Sequence, residues 1–411
     1  MMQNLSFWAF LATVPVLYWL LPIRFRAAFL SIASLAMLFT LAPYAIAFML
    51  ALALLVYGVL NLQTAPAFAG AGAGTGTAFL PPAISNIRPS AWMFFIVLGY
   101  LFWYKYVPQL AALTFHESGL AKIAVPLGIS YYSFKLMHYA LERGRENLPP
   151  HTIQEFLSWM FLLPTFTSGP IERFDHFQEN TETSFRVEFV IEGVTRITVG
   201  LIKRFVIEDQ LINAALHFSG DDLTAFAHGI DGQPGVFAVW AFLFLSLIVL
   251  YLDFSAYSDM AIGASRLFGF RIMENFAYPL LATNLPEFWK RWHMSLTGWC
   301  RGYVYMPLVG ATRNPYTAII VTFVLVGLWH AGTIHWLAWG LWHGCGQAGV
   351  LYWSRIAQRK RITFFKTTFG KLLGWALTLG FVSLGGTLVT FYDKGDFMDS
   401  FRLMGRAFGI V

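Results

Sequence analysis

The stretch FWKRWHMSL, Phe288 to Leu296, places two cations, two tryptophans and a histidine in nine residues of a chain that is 57% hydrophobic. A second cluster, GLWHAGTIHWLAWGLWHG, runs from Gly327 to Gly344 and holds His330, His335 and His343. An imidazole titrates near neutral pH, so either cluster can supply a general base or a proton donor. His330 is the sharper candidate, because the apolar run VTFVLVGLWHAG delivers it between Gly327 and Gly332, where small residues leave room for a substrate or a close backbone. The ordinary alternative is a histidine simply paired within the core. His335 reads as facing a loop, and His343 as bonding a neighbouring helix. In the first cluster Trp289 and Trp292 stand at i, i+3, as do Lys290 and His293, and Trp292 and Ser295. That spacing predicts an amphipathic element with tryptophans at a membrane interface and His293 turned toward the protein. An interfacial belt explains the tryptophans without catalysis, but it does not need His293.

Carboxylates form the next constellation. In YLDFSAYSDMAIG, Tyr251 to Gly263, polar Asp253, Ser255, Tyr257, Ser258 and Asp259 interrupt apolar sequence. Asp253 and Tyr257 lie at i, i+4 on one helix face. A carboxylate inside a membrane is a functional candidate that faces a bundle interior and pairs with a cation. The plainer expectation is a structural bond from Asp253 or Asp259 to Lys290, Arg291 or Arg301. A third polar stretch, FLLPTFTSGPIERFDHF from Phe161 to Phe177, breaks an apolar run with Pro164, Gly169 and Pro170 and then supplies Glu172, Arg173 and Asp175. Broken backbone at membrane depth is tolerated only where protein or a water-filled cavity satisfies it. The segment is therefore either a re-entrant element beside a cavity or a cytoplasmic loop.

The elements that must position these residues are membrane helices. A chain with only 12% charged residues cannot build a soluble surface. Apolar runs near Leu5–Leu21, Ala27–Leu41, Tyr44–Leu60, Ala91–Tyr106, Leu120–Leu141, Phe237–Tyr251, Ile319–Trp329, Trp336–Trp353 and Leu372–Phe391 approach or reach spanning length. Less regular stretches around Ile153–Thr167, Val187–Phe205 and Ser255–Leu281 bring the expected total to about 10 to 12 spanning or re-entrant segments. The first run lacks a small-residue cleavage site and reads as a retained helix. Cys300 and Cys345 are the only cysteines, too few for a disulfide framework or a cysteine metal cluster, and both read as buried thiols.

The net charge of +6 is scattered among apolar segments, not gathered into a nucleic-acid groove. It reports topology instead. Arg24 and Arg26, then Arg143 and Arg145, then the basic residues between Arg355 and Lys371 mark cytoplasmic loops by the positive-inside rule. The N-terminus is then outside, and His330 and His335 lie toward the outer half. TAPAFAGAGAGTGTAFLPPA, Thr64 to Ala83, is a flexible low-complexity loop. In the tail, Phe397, Phe401, Leu403, Met404 and Phe408 are expected to line one side of a short interfacial helix.

Several chemistries lack their signatures: the sequence has no G-x-S-x-G elbow, Walker A loop or H-E-x-x-H. One H-x(4)-D spacing, His217 and Asp222, lies in a polar loop and reads as chance. A proton-coupled transporter or lipid flippase, with His293, His330 and Asp253 as a relay, is the competing class, and the inverted repeats it calls for are not found.

The ordered motifs PLGISYYSF (Pro126–Phe134), PTFTSGPIERF (Pro164–Phe174), GLIKRFVIED (Gly200–Asp209), DFSAYSDMAIG (Asp253–Gly263), ENFAYP (Glu274–Pro279), EFWKRWHMSLTGWCRGYVYMPL (Glu287–Leu308) and GLWHAG (Gly327–Gly332) resemble the membrane-bound O-acyltransferase family. Within it the chain is similar to the branch of the D-alanine-transfer protein of teichoic-acid operons and the alginate O-acetyltransferase. The resemblance spans about Ala124 to Gly344. It implies an all-α polytopic protein with a funnel through the membrane, and it places the family's near-invariant histidine on His330 and its second histidine on His293. His330 would act as general base. His293, with Trp289, Arg291, Trp292 and Ser295, would orient the donor or meet the developing oxyanion, and Asp253, Tyr257 and Trp329 would shape the substrate site. Two departures stand out. Alginate-type relatives are expected to continue well beyond position 411, and Gly302 replaces an acidic residue common after the arginine.

The resemblance implies transfer of an acyl group, D-alanyl ahead of acetyl, from a cytoplasmic thioester to a hydroxyl of an envelope glycan or teichoic-acid-like polymer. No bound cofactor is required, since the thioester of an acyl carrier protein's phosphopantetheine or of coenzyme A carries the activation. A second envelope acyltransferase is a candidate partner, and the bacterial cytoplasmic (inner) membrane the expected location. The organisation expected is one domain over 1–411. It comprises peripheral N-terminal helices over 1–120 with a flexible loop at 62–90, a core over 121–353, and a basic loop, last helix and tail over 354–411.

Overall fold

The computed structural model describes residues 4–62, 88–114, 123–212, 223–229, 235–392 and 396–410. The low-complexity loop and the His217–Asp222 spacing lie outside them. Among the described residues the secondary structure is helical, with a single isolated bridge between Thr181 and Phe270. Among the described residues five helices are long and apolar enough to cross a membrane, and two shorter apolar helices accompany them. The protein is an all-α, multi-pass membrane protein.

Contacts divide the chain into two compact units. The first holds residues 1–197 and 260–273. Its helices are α1 (Leu5–Leu20), α2 (Ile23–Leu41), α3 (Pro43–Leu62), α4 (Pro89–Thr114), α5 (Ile129–Gly144), α6 (Ile153–Met160), α7 (Phe174–Glu179) and the greater part of α8 (Val187–Ile202). Here the broken segment takes its place. A capping box of Thr152 and Glu155 starts α6, the helix ends at Met160, and every residue from Trp159 to Phe166 is buried. These residues are therefore shielded from water within the unit. The freed carbonyls of Trp159 and Met160 accept from Lys135, and Glu172 accepts from Met273 N at 2.6 Å and pairs with His176 at 2.5 Å. Buried polar groups are thus satisfied from within, as broken backbone at membrane depth requires.

The second unit holds residues 198–259 and 274–411 and contains both histidine clusters. It comprises α9 (Leu223–His228), most of α10 (Val236–Arg266), α11 (Leu285–Arg291), α12 (Met294–Cys300), α13 (Met306–Thr312), α14 (Pro315–His330), α15 (Ile334–Arg359), α16 (Thr368–Thr390) and α17 (Phe397–Arg406). Helix α10 runs on through the polar stretch at which the apolar run ends in the sequence. It does so because partners elsewhere satisfy its polar side chains. Lys203 bonds Asp259 at 2.6 Å and Ser255 at 3.4 Å, and Asn275 Nδ2 donates to Ser258 Oγ at 3.1 Å.

Helices α14 and α15 set the frame of the site. Asn314 caps α14, accepting from Tyr316 N and Thr317 N, with Pro315 in the first turn. The two helices meet on glycine. A Cβ on Gly327 would come within 2.2 Å of Trp336 O, one on Gly340 within 2.6 Å of Phe323 O, and one on Gly344 within 2.9 Å of Ile320 Cα. Small residues let membrane helices approach backbone to backbone.

The tail corrects an expectation. Phe401 and Leu403 are two residues apart, about 200° around a helix, so they cannot share a face. Leu403 is buried, whereas Phe401 and Phe408 are exposed. What α17 buries is largely polar. Asp399 accepts from His228 at 2.8 Å and Arg402 at 2.6 Å, and Arg406 donates to the carbonyls of Ala227 and His228.

Candidate active site

The two candidate histidines stand in the second unit in opposite environments. His330 ends α14 and is exposed. Its ring stacks on Trp336 with centroids 4.3 Å apart and planes 18° apart, and Trp329 and Trp339 flank it at 4.5 and 5.9 Å. An aromatic slot therefore holds an imidazole that remains open to a substrate.

His293 is only 4% exposed. It joins α11 to α12 at φ +43°, a left-handed conformation costly for a residue with a side chain. The chain around it over-determines that strain. Met294 N donates to Asn275 O at 2.8 Å, Ser295 Oγ donates to Asn275 Oδ1 at 2.6 Å, and Thr297 N donates to His293 O at 2.9 Å. Phe254 packs edge-on against the ring at 4.6 Å. Burial, and after it the charge of His330 nearby, hold the His293 imidazole down at about 3, so the ring is neutral at physiological pH. Its buried Nε2 has no hydrogen-bond partner. A neutral imidazole with a reserved nitrogen, close enough to His330 to feel its charge, is the arrangement a ligand would complete.

The helical break at His293 corrects the amphipathic reading of this stretch. Lys290 and His293, and Trp292 and Ser295, do not share one continuous helix face, although His293 does turn inward. Trp289 is not interfacial: it is 8% exposed and packs against Phe323, Trp339 and His343. Trp292 is half-buried between Phe276 and Phe288. Arg291 is bound to Glu287 at 2.6 Å, and Ser295 to Asn275, so both side chains are engaged in the local frame.

Asp253 and Asp259 take partners other than those expected. Asp259 pairs with Lys203, and exposed Asp253 faces Arg204 at 3.5 Å. Lys290, Arg291 and Arg301 bond neither carboxylate. Tyr257 shares α10 with Asp253 one turn away. His335 is buried against Phe397, the first residue of α17, and His343 sits 1% exposed among Trp339, Trp289 and Phe381 with Nδ1 unpartnered. Cys300 is buried but Cys345 is exposed on α15. Among the described residues no three His, Cys, Asp or Glu side chains converge to hold a metal.

Sequence reasoning missed Asn275, which braces His293, although it lies within the ENFAYP motif. It also missed Trp336 and Trp339 as the slot around His330. A cavity of about 240 Å³ opens nearby, walled by Trp289 and Val326 among others, and neither histidine lines it.

An all-helical membrane protein that carries an open histidine and a buried one in the same unit has groups suited to acid–base chemistry. The match to the family model described as MBOAT, membrane-bound O-acyltransferase, covers residues 83–392, and the chain belongs to that family. A protein named probable alginate O-acetylase from Pseudomonas aeruginosa is 37% identical over 233 residues, 55% of this chain and 42% of the relative. The teichoic acid D-alanyltransferase of Streptococcus thermophilus is 31% identical over 281 residues, 63% of this chain and 64% of the relative. The peptidoglycan O-acetyltransferase of Helicobacter pylori is 28% identical over 294 residues, 64% of this chain and 53% of the relative. The chain spans about half the length of several curated relatives it matches.

Proposed function

We propose that this chain is an O-acyltransferase that moves an acyl group from a cytoplasmic thioester to a hydroxyl of a cell-envelope polymer. The observation that carries the reading is the pair of histidines: accessible His330 beside a neutral, buried His293 whose Nε2 has no partner. His330 accepts the proton of the acceptor hydroxyl as its oxygen attacks the thioester carbonyl. His293, with its proton on Nε2, donates to the oxygen on which negative charge develops. Collapse of that intermediate expels the thiolate, which takes the proton from His330. Trp329 flanks the base, and Trp289, Trp292, Arg291, Ser295, Asp253 and Tyr257 hold the frame.

Acetyl is the acyl group we favour. The alginate relatives are 31–37% identical and the two D-alanyltransferases 29–31%. D-alanyl transfer is the second reading, favoured by the motifs PTFTSGPIERF and RWHMSL. The proposed donor is coenzyme A or an acyl carrier protein with its phosphopantetheine arm. The acceptor is an extracytoplasmic glycan, a second envelope acyltransferase is the proposed partner, and the location is the bacterial inner membrane.

The test is transfer by purified protein in liposomes, offering labelled acetyl-CoA and D-alanyl carrier protein in parallel, each with His330→Ala beside wild type. General-base catalysis is worth about 10²- to 10⁴-fold, so the variant should lose at least 100-fold while remaining folded. Label moving from the carrier alone would make this a D-alanyltransferase. Transfer independent of His330 would overturn the mechanism and revive the transporter reading.

A further inference from the structure

The cavity beside the histidines has a chemistry of its own. Leu296, Ile319, Phe323 and Val326 give it carbon walls. Its neutral polar groups are largely turned away: Thr297 Oγ1 donates to Trp292 O, Thr322 Oγ1 to Ala318 O, and Gln347 Nε2 to Leu285 O. Among the wall donors the buried Trp289 Nε1 has no acceptor, and the half-buried Tyr305 also lines the cavity. Two cations also line the cavity, Lys290 and Arg301, and both are exposed. Among the described residues neither makes an ion pair or hydrogen bond. Exposed cations beside an apolar cavity in a membrane protein are placed to meet an anionic headgroup. Two unpaired cations where an apolar cavity opens therefore want an anion, and the anion must carry an apolar chain.

We propose that this cavity is a binding site for an anionic phospholipid, with one acyl chain inserted between α12 and α14 and its phosphate on Lys290 and Arg301. The volume of about 240 Å³ holds roughly eight water-sized groups, a length of acyl chain. Carbon walls suit a hydrocarbon better than the amide-bearing arm of a thioester carrier. Trp289 Nε1 is the donor available to a lipid ester oxygen. The topology read from the basic loops places α14's first turns on the cytoplasmic side, where anionic headgroups enrich.

Each cation near an anionic surface contributes about fivefold in affinity. The experiment is lipid retention by the purified full chain, read by native mass spectrometry and by thermal shift. Phosphatidylglycerol and phosphatidylcholine of identical acyl chains are offered in competition. Wild type should retain phosphatidylglycerol at least fivefold over phosphatidylcholine. Lys290→Gln and Arg301→Gln should each reduce that preference about fivefold. Val326→Trp and Leu296→Trp, which fill the cavity from two different helices, should abolish retention of both lipids. Equal retention of the two lipids by wild type, a measurement independent of any variant's folding, would overturn the site. Displacement of the lipid by inorganic phosphate would make it a bare anion site, and displacement by acetyl-CoA a donor site, and either would overturn the proposal.

Discussion

Replacing Gly327 with alanine tests whether the seam between α14 and α15 sets the catalytic geometry. The new Cβ would lie 2.2 Å from Trp336 O, so the two backbones must part by roughly 1 Å or more to restore an ordinary contact. Trp336 is the residue on which the His330 ring stacks at 4.3 Å, so the parting acts directly on the base. A misplacement of about 1 Å can cost roughly 100-fold in rate, equivalent to about 2.7 kcal/mol in the barrier. Overpacking should also cost about 1–3 kcal/mol of stability. Gly349→Ala on α15 is the control, because nothing lies within 4 Å of its added methyl. The assay is the initial rate of acyl transfer in proteoliposomes at matched protein, with thermal unfolding in parallel. Gly327→Ala turning over within threefold of Gly349→Ala, both being folded, would refute the claim that this seam positions His330.

Three further outcomes are expected. Asn275→Ala keeps the backbone acceptor for Met294 N but removes the side-chain bonds to Ser258 and Ser295 that brace the chain around His293, so it should cost about 1–3 kcal/mol and lower turnover more than Ser295→Ala does; equal effects of the two in thermal unfolding and rate would count against the brace. Lys203→Met leaves Asp259 charged and buried, which should cost about 3–5 kcal/mol, and adding Asp259→Leu should recover most of it; additivity in the double-mutant cycle would dismiss the pair. His293 is held near 3 and so exchanges no proton between about pH 5 and 8. His293→Asn should therefore lower the rate without moving the acid limb of the pH profile, and a shifted limb would show that His293 titrates in the working range.

Apolar runs announced most of the helices, because a membrane demands about twenty carbon-rich residues in a row. What they hid was where polar residues are rescued. Helix α10 continues past Tyr251 because Lys203, more than fifty residues earlier in the chain, satisfies Asp259, and no local pattern encodes that pairing. The open position of His330 at a helix end was legible from its glycine-flanked apolar run. The break at His293 was not, since a left-handed turn is signalled by glycine or asparagine, and here a histidine adopts it. Signals for the short helices were present and unused: Asn284 accepts from Glu287 N, with Pro286 in the first turn of α11, the signature of a helix start.

Helix α17 is laid down inside out. Asp399, Ser400 and Arg406 face the protein, while Met398, Phe401 and Phe408 face away. In a soluble protein such an element would hold weakly, since water competes for its charges and only Leu403 and, just past its end, Ala407 add apolar burial. In hydrocarbon the competition vanishes, and the aromatic side is already in its preferred solvent. The medium itself thus becomes the clamp, and the strength with which the tail holds α9 through Arg406 should report how dry the surrounding bilayer is.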